Sequence, residues 1–170
     1  MKKRLDQIET QRLVLRPMTE EEIGLLMEDV AAFETRWSCR YGGEPLDEEI
    51  CSVFRKQREL LRQNTAQMFY NTVWLMLLGD TVIGSLCFKG SPDGMGRVEI
   101  GYGIAGDYEG RGYATEAATA LCRSALERPE VTAVIAETEK LNAASQRILE
   151  KCGMERYDET DSAYWWQLRR

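Results

Sequence analysis

Hydrophobic residues recur along this chain with two different periods. From Val98 to Ile104 they form a short run typical of a buried strand. In the next stretch, small and apolar residues recur three and four positions apart, which predicts an amphipathic helix. These residues are Ala114, Ala117, Ala118, Leu121, Cys122 and Ala125. Along the whole chain the two periods give strand, two helices, three strands, helix, strand, helix and two strands, an order that predicts an α/β sandwich on a mixed sheet.

Local signals mark where several of these helices begin and end. Thr19 and Glu22 have the spacing of a capping box and start the first helix. Asp47 is expected to cap the second helix and Asn142 the fourth. Gly153 is expected to end that fourth helix in the left-handed conformation that glycine adopts without strain.

A glycine-rich bend, Gly-Arg-Gly-Tyr-Ala at residues 110–114, joins the strand to the third helix. Glycine lets the main chain approach an anion without a Cβ in the way, and a helix start carries N–H groups without partners. The bend is therefore a candidate phosphate site, although an ordinary strand-to-helix turn would also use glycine for its geometry. It is neither a Walker P-loop nor a Rossmann fingerprint, because no Lys-Ser/Thr pair and no third glycine follow Gly112 at the required offsets.

Composition narrows the class of protein further. The 170 residues predict one domain, and a net charge of -6 without a basic stripe argues against nucleic acid as a partner. The first residues, MKKRLDQIETQ, are basic but contain no apolar segment, so we expect no signal peptide. No apolar run approaches the roughly 20 residues that span a bilayer, so we expect no membrane association.

Cysteine and histidine usage limits the available chemistry. The five scattered cysteines form no C-x-x-C pair, which indicates reduced thiols and a cytoplasmic location. The absence of histidine excludes Ser-His-Asp and Cys-His triads, imidazole zinc sites and histidine acid–base chemistry. Any catalysis must therefore use carboxylates, hydroxyls, thiols or backbone groups.

Two motifs resemble the GCN5-related N-acetyltransferase (GNAT) superfamily. The frame from Glu109 to Ala114 is similar to the pyrophosphate motif Gln/Arg-x-x-Gly-x-Gly/Ala, with Glu109 in place of the leading Gln or Arg. The segment Asn142–Met154 resembles the family's second motif, and the segment RLVLRPMTEEE is most similar to the ribosomal-protein N-terminal (Rim-type) branch. The resemblance covers residues 1–170 as one domain. It implies the GNAT fold, a mixed and mostly antiparallel sheet of about seven strands with splayed central strands and four helices.

The same resemblance implies acetyl-CoA as cosubstrate. The strand edge at Tyr102, Gly103 and Ile104 would pair with the pantetheine arm. The residues of the bend and the first turn of the helix would hold the pyrophosphate, and Asn142 would contact the cofactor arm or simply cap its helix. The bend residues are Gly110, Arg111, Gly112, Tyr113, Ala114 and Thr115.

Two residues are candidates for proton transfer. Strand alternation places Glu99 on the face that carries Gly101 and Gly103, with empty space beside it, so it is a candidate base. Three alternatives stay open for Glu99: an ion pair to a basic side chain, a solvated strand end, and the attraction of a cationic substrate. Many family members carry a tyrosine acid where this chain has Leu149, and the Rim-type resemblance points to Ser145 as the proton donor instead.

The sequence contains fewer signals for the acceptor site than for the cofactor site. We expect a loop from Phe33 to Pro45, and the resemblance places its aromatic residues Phe33, Trp37 and Tyr41 beside the acceptor, with core packing as the alternative. The predicted function is direct acetyl transfer in a ternary complex to a small-molecule amine or a protein N-terminal α-amine. The alternative is a non-catalytic acyl-CoA-binding module of the same fold. A homodimer and a monomer both stay open.

Overall fold

The computed structural model describes residues 5–170, and the basic residues 1–4 lie outside the described residues. The described range forms nine strands and six α-helices. The strands are β1 (Ile8–Glu9), β2 (Val14–Pro17), β3 (Arg40–Tyr41), β4 (Val73–Leu78), β5 (Thr81–Phe88), β6 (Arg97–Ile104), β7 (Ala133–Glu139), β8 (Glu155–Glu159) and β9 (Ala163–Arg169). The helices are α1 (Glu20–Glu28), α2 (Val30–Trp37), α3 (Glu48–Gln63), α4 (Met68–Asn71), α5 (Tyr113–Leu126) and α6 (Ala143–Lys151).

The strands form one mixed sheet in the order β1-β2-β4-β5-β6-β7-β9-β8, with β3 paired to β5. Neighbours on this path are antiparallel except β6 and β7, which are parallel. The β6–β7 pairing extends only over residues 97–99 of β6 and residues 133–135 of β7. From Ile100 onward β6 pairs with β5 alone, so the sheet splays between its two central strands as expected.

Two hydrophobic cores cover the two faces of the sheet. Alternation along β4 shows the division, because Trp74 and Met76 belong to one core and Val73 and Leu75 to the other. The first core contains α5, which buries all six positions of its predicted stripe, and Leu149 of α6. The second contains the apolar faces of α1, α2 and α3.

The local end signals are confirmed. Thr19 and Glu22 form the complete capping box of α1. The side chain of Asp47 caps α3, and that of Asn142 caps α6. Gly153, two residues after α6, has a φ of +85°.

The expected loop from Phe33 to Pro45 is wrong in its first part, where the chain forms α2. The side chain of Asp29 caps this helix and separates it from α1. Phe33 and Trp37 lie one turn apart, and both are buried in the core. The expected mixed and mostly antiparallel sheet is confirmed, with nine strands where about seven were expected. The two additional strands, β1 and β3, have two residues each and are too short to carry a hydrophobic period. The two helices beyond the expected four are α2, which lies partly in the expected loop, and the four-residue α4.

Within residues 5–170, no helix combines the length and apolar character needed to cross a bilayer.

Candidate functional site

A cavity of about 730 Å³ lies where β6 and β7 separate. Its walls come from the C-terminal end of β6, from residues 108–115, which include the bend and the first turn of α5, and from α6 with its cap. One residue comes from the loop before α3. The lining residues are Glu44, Tyr102, Gly103, Ile104, Tyr108, Glu109, Gly110, Gly112, Tyr113, Ala114, Thr115, Asn142, Ala144, Ser145, Arg147, Ile148 and Lys151. Nine of the ten residues expected to bind the cofactor are thus brought together around one cavity, and Arg111 is the exception.

The bend is shaped by two glycines in the left-handed region. Gly110 has a φ of +72° and Gly112 a φ of +82°, values that side chains with a Cβ rarely adopt. No atom lies within 4 Å of a Cβ built on Gly110, so this position is open. Gly112 is the N-cap of α5, and no side chain caps this helix. The N–H groups of its first turn are therefore available to an anion in the cavity.

Arg12, which no sequence signal marked, lies just before β2 and contacts the bend. Its Nη1 donates to the carbonyl oxygen of Arg111 at 2.9 Å, and its Nε lies 2.6 Å from Oε2 of Glu116. The guanidinium also stacks over the ring of Tyr113, 4.4 Å from the centroid. Arg111 contributes its carbonyl to this contact, and its expected role as a cationic phosphate ligand stays a prediction.

Glu116, in the first turn of α5, completes this contact. Its Oε1 accepts from Oγ1 of Thr10 at 2.6 Å and from the backbone N–H of Arg12 at 2.7 Å. Burial alone would raise the pKa of Glu116, but these hydrogen bonds and the Arg12 charge outweigh it and lower that pKa. The carboxylate is therefore stabilised in its charged form.

Two hydroxyl groups meet at the opposite wall. The phenol oxygen of Tyr102 lies 2.8 Å from Oγ of Ser145, and either atom can donate. Burial raises the pKa of Tyr102 to about 12, against a smaller lowering by the Ser145 hydrogen bond, so the phenol is protonated at neutral pH. Asn142 accepts from the backbone N–H of Ser145 at 3.1 Å, which confirms its role as a helix cap. It also lines the cavity, and its contact with the cofactor arm stays a prediction. Leu149, at the family's tyrosine position, is buried in the core.

Glu99 lies outside the cavity lining. Its Oε1 is paired with Nζ of Lys89 on the face that also carries Gly101, whose built Cβ would lie 3.8 Å from the Lys89 chain. The ion pair is one of the alternatives that the sequence left open. The role of Glu99 as a base stays a prediction, which requires the Lys89 contact to be exchanged for a substrate contact.

The three aromatic residues expected beside the acceptor do not line the cavity. Phe33 and Trp37 are 0% and 4% exposed, and their rings pack 4.8 Å apart in the core that contains α1, α2 and α3. Tyr41 is half-buried, and its hydroxyl donates to the backbone oxygen of Glu44 at 2.8 Å. Their substrate role stays a prediction, and the core packing of Phe33 and Trp37 gives it no support.

Three charged residues in the lining were not predicted as site residues from the sequence, although two of them lie within the segment Asn142–Met154. Glu44 lies in the loop between β3 and α3, and Arg147 and Lys151 lie four residues apart on α6. The spacing of the two cations on one helix face is visible in the sequence, but their position beside a cavity depends on how α6 packs. Glu44 contacts β6 only through the tertiary fold, so no local pattern identifies it.

Comparison with known proteins shows the family. A model of the acetyltransferase (GNAT) domain matches residues 12–155. The uncharacterized N-acetyltransferase YjdG of Bacillus subtilis (strain 168) is 35% identical over 98 residues, which are 56% of this chain and 58% of that relative. The match thus spans less than two thirds of the relative's length.

Solved structures share the whole fold at low sequence identity. RimL, a ribosomal L7/L12 α-N-protein acetyltransferase solved with coenzyme A, aligns over 96% of this chain and 98% of its own at a TM-score of 0.69 and 14% identity. The aminoglycoside acetyltransferase AAC(6')-Ib, also solved with coenzyme A, aligns over 93% and 95% at a TM-score of 0.63 and 21% identity. These likenesses show the fold, whereas the domain model spans both sequence motifs. The chain therefore belongs to the GNAT family of acetyltransferases.

Proposed function

We propose that this chain transfers the acetyl group of acetyl-CoA to a primary amine by direct transfer in a ternary complex. The observation that carries the proposal is the cavity beside the part of β6 that β7 leaves unpaired, which ends at a helix N-terminus with two glycines and no side-chain cap. N-acetyltransferase activity agrees with the family of the chain. The class of the amine and direct transfer in a ternary complex are the new parts of the proposal.

The residues around the cavity fit acetyl-CoA. The bend from Gly110 to Thr115 offers backbone N–H groups to a diphosphate, and the unpaired edge of β6 at residues 102–104 offers main-chain donors and acceptors to an amide-containing arm. Arg147 and Lys151 add two positive charges beside the same cavity. Glu109, at the family's Gln/Arg position, adds a negative charge, but the backbone groups of the bend do not depend on that side chain.

The chemistry requires a neutral amine and a protonated leaving group. The thioester of acetyl-CoA supplies the activated acetyl carbon, to which the amine nitrogen bonds while the carbon–sulfur bond breaks. We assign Ser145 as the group that donates a hydrogen bond at the departing sulfur, with Tyr102 positioning its hydroxyl at 2.8 Å. The proton lost by the amine goes to a carboxylate, for which Glu99 is the candidate from the sequence, or to water. The departing sulfur takes up a proton through the Ser145 hydroxyl, which is reprotonated from solvent.

Thiol groups are poor candidates for a covalent acetyl intermediate. Burial raises the pKa of Cys87 to about 11, and it also raises the pKa of Cys122 and Cys152. These three thiols therefore remain protonated and weakly nucleophilic at neutral pH. None of the five cysteines is among the residues that line the described cavity. This supports direct transfer.

The amine class has two candidates. RimL is named as an acetyltransferase of a protein α-amine and AAC(6')-Ib as an acetyltransferase of aminoglycosides, so both a protein N-terminus and a small-molecule amine fit this fold. The alternative of a non-catalytic acyl-CoA-binding module rests on Glu109 and Leu149, the two departures from the family motifs. Both functions predict cofactor binding, and only the enzyme predicts thiol release that depends on an amine.

A panel of primary amines and peptides tests the proposal. Purified protein is incubated with acetyl-CoA and each acceptor, and free thiol is measured over time, with Ser145→Ala as the matched variant. We expect amine-dependent thiol release by the wild type and at least a tenfold slower rate in Ser145→Ala at unchanged acetyl-CoA affinity. Binding of acetyl-CoA without thiol release from any acceptor would instead establish the binding module.

A further inference from the structure

Glu44 carries an unusual carboxylate in the cavity wall. It lies against β6 at Gly103, where a built Cβ would overlap its Oε1 and come within 2.7 Å of its carboxyl carbon. Only glycine at position 103 leaves room for this contact. The carboxylate thereby reaches the part of β6 that β7 leaves unpaired.

The loop that carries Glu44 is held by specific contacts. Tyr41 donates its hydroxyl to the Glu44 backbone oxygen at 2.8 Å and its backbone N–H to Oε1 of Glu34 at 2.7 Å. The backbone N–H of Gly42 donates to the carbonyl oxygen of Val82 at 2.8 Å. The position of the carboxylate is therefore set by the fold around it.

The charged neighbours that act on the pKa of Glu44 are all acidic. Oε1 is buried and has no hydrogen-bond partner within residues 5–170. Burial raises the pKa of Glu44, and the neighbouring Asp47, Glu49 and Glu109, all acidic, raise it further. Burying a carboxylate without a partner is costly, and a cation or hydrogen-bond donor brought by a ligand would remove that cost.

Resting on the proposed function, we propose that Glu44 binds the protonated nitrogen of the acceptor amine beside Gly103. A primary ammonium group has one positive charge and three donors. It matches a carboxylate that lines the cavity and whose Oε1 receives no donor from residues 5–170. A neutral hydroxyl acceptor would leave the charge uncompensated. The ligand class is therefore an alkylammonium, whether from a small molecule or a peptide N-terminus.

Glu44 and Glu99 are separate sites for such a nitrogen. Gly103 and Glu99 are four residues apart on β6, or about 13 Å along an extended strand. Glu99 already contacts Lys89, whereas Oε1 of Glu44 faces no donor. Glu44 thus acts in binding and orienting the acceptor. A nitrogen held there is too far from Glu99 for direct proton transfer, so a role of Glu99 as base requires a path through water.

Steady-state kinetics of Glu44→Gln test this proposal with the best amine of the panel. The variant keeps the shape of the side chain and removes its charge, and Glu49→Gln removes a neighbouring exposed charge as the control. We expect the KM for the amine to rise roughly 10- to 100-fold, the range of a charge-assisted hydrogen bond, with the KM for acetyl-CoA within about twofold. Glu49→Gln should change neither constant. An unchanged amine KM in Glu44→Gln overturns the proposal.

A binding measurement tests whether Glu44 binds an ammonium group without requiring catalytic turnover. Saturation-transfer NMR with n-butylammonium chloride, in the presence of coenzyme A, reports contact of an alkylammonium with the protein. A wild-type signal that Glu44→Gln loses and Glu49→Gln retains supports the site, even if no amine of the panel releases thiol and the proposed function fails. Equal signals in wild type and Glu44→Gln, or no signal in either, contradict it.

Discussion

Two glutamates belong to the two regions that meet at the cavity, and they differ in their hydrogen-bond partners and in the charges around them. Glu116, in the first turn of α5, accepts hydrogen bonds from Thr10 and from two groups of Arg12. Glu44, in the loop before α3, has a buried oxygen without a partner and is surrounded by acidic residues. The fold lowers the pKa of Glu116 and raises that of Glu44.

This difference indicates that the charge of Glu116 has a structural role and that the charge of Glu44 has a role in ligand binding. The hydrogen bonds to Glu116 are complete within the chain, so its carboxylate stabilises the bend whether or not a ligand is bound. The fold leaves Glu44 uncompensated, which favours a ligand that brings the missing cation. The comparison predicts that changes to the bend act on cofactor binding and stability, whereas changes at Glu44 act on the acceptor.

The largest expected effect is the loss of coenzyme A binding in Gly112→Val. A β-branched residue at a φ of +82° is strained, and its Cβ would lie 3.3 Å from Nη2 of Arg12 in the bend. We expect the affinity for coenzyme A, measured by calorimetry, to fall at least 100-fold.

Two further variants keep this prediction testable if Gly112→Val folds poorly. Gly110→Ala adds one methyl group in open space at a φ of +72°, and we expect it to lose at least tenfold in affinity while the protein remains folded. Gly106→Ala, also in open space but without a positive φ, should bind as the wild type does. Normal affinity in Gly110→Ala would show that the bend does not hold the cofactor.

The sequence predicts the bend side of the cavity well because its signals are local. The stripe of α5, the glycines before it and the cap of Asn142 all depend on residues within a few positions of one another. The resemblance to a known family added the cofactor and the splay of the sheet. Those expectations agree with the pairing of β6 and with the residues that line the cavity.

The contacts that the sequence does not predict join residues that are distant along the chain. Arg12 and Glu116 are 104 residues apart, and Tyr102 and Ser145 are 43 apart. The contact of Glu44 with β6 likewise depends on how the loop after β3 packs over the sheet. No hydrophobic period encodes such packing. In addition, the helix α2 forms where a loop was expected, so the sequence did not predict how the chain runs from α1 to the loop that carries Glu44.

A smaller effect is expected from Glu116→Gln, which tests whether the Glu116 charge is structural. The change weakens the contacts with Arg12 and Thr10, so we expect the Tm at pH 7 to fall by about 4 °C, equivalent to roughly 1–2 kcal/mol. Because the folded pKa is below the ordinary value of 4.5, this stabilisation is present above that value and is lost as the pH falls through the folded pKa.

Thermal unfolding between pH 3 and pH 7 measures this difference, with Glu137→Gln on the exposed part of β7 as the control. The gap in Tm between wild type and Glu116→Gln should shrink towards the acid end, while the control shows no gap. A pH-independent gap would assign the effect to shape rather than charge.

The smallest expected effect is a change in Tm in Glu44→Gln, with a sign opposite to that expected for Glu116→Gln. The folded pKa of Glu44 is raised above 4.5, so its contribution to stability is present below that value and is lost as the pH rises through the folded pKa. Glu44→Gln removes the ionised form, and we expect the Tm at pH 7 to increase by about 3 °C, equivalent to roughly 1 kcal/mol, with no gain at pH 4. A lower Tm at pH 7 would mean that the carboxylate already has a partner in the free protein, and the argument for an ammonium ligand would fail. A gain in Tm together with weaker amine binding would show that the Glu44 carboxylate lowers the stability of the free protein and is needed for the acceptor site.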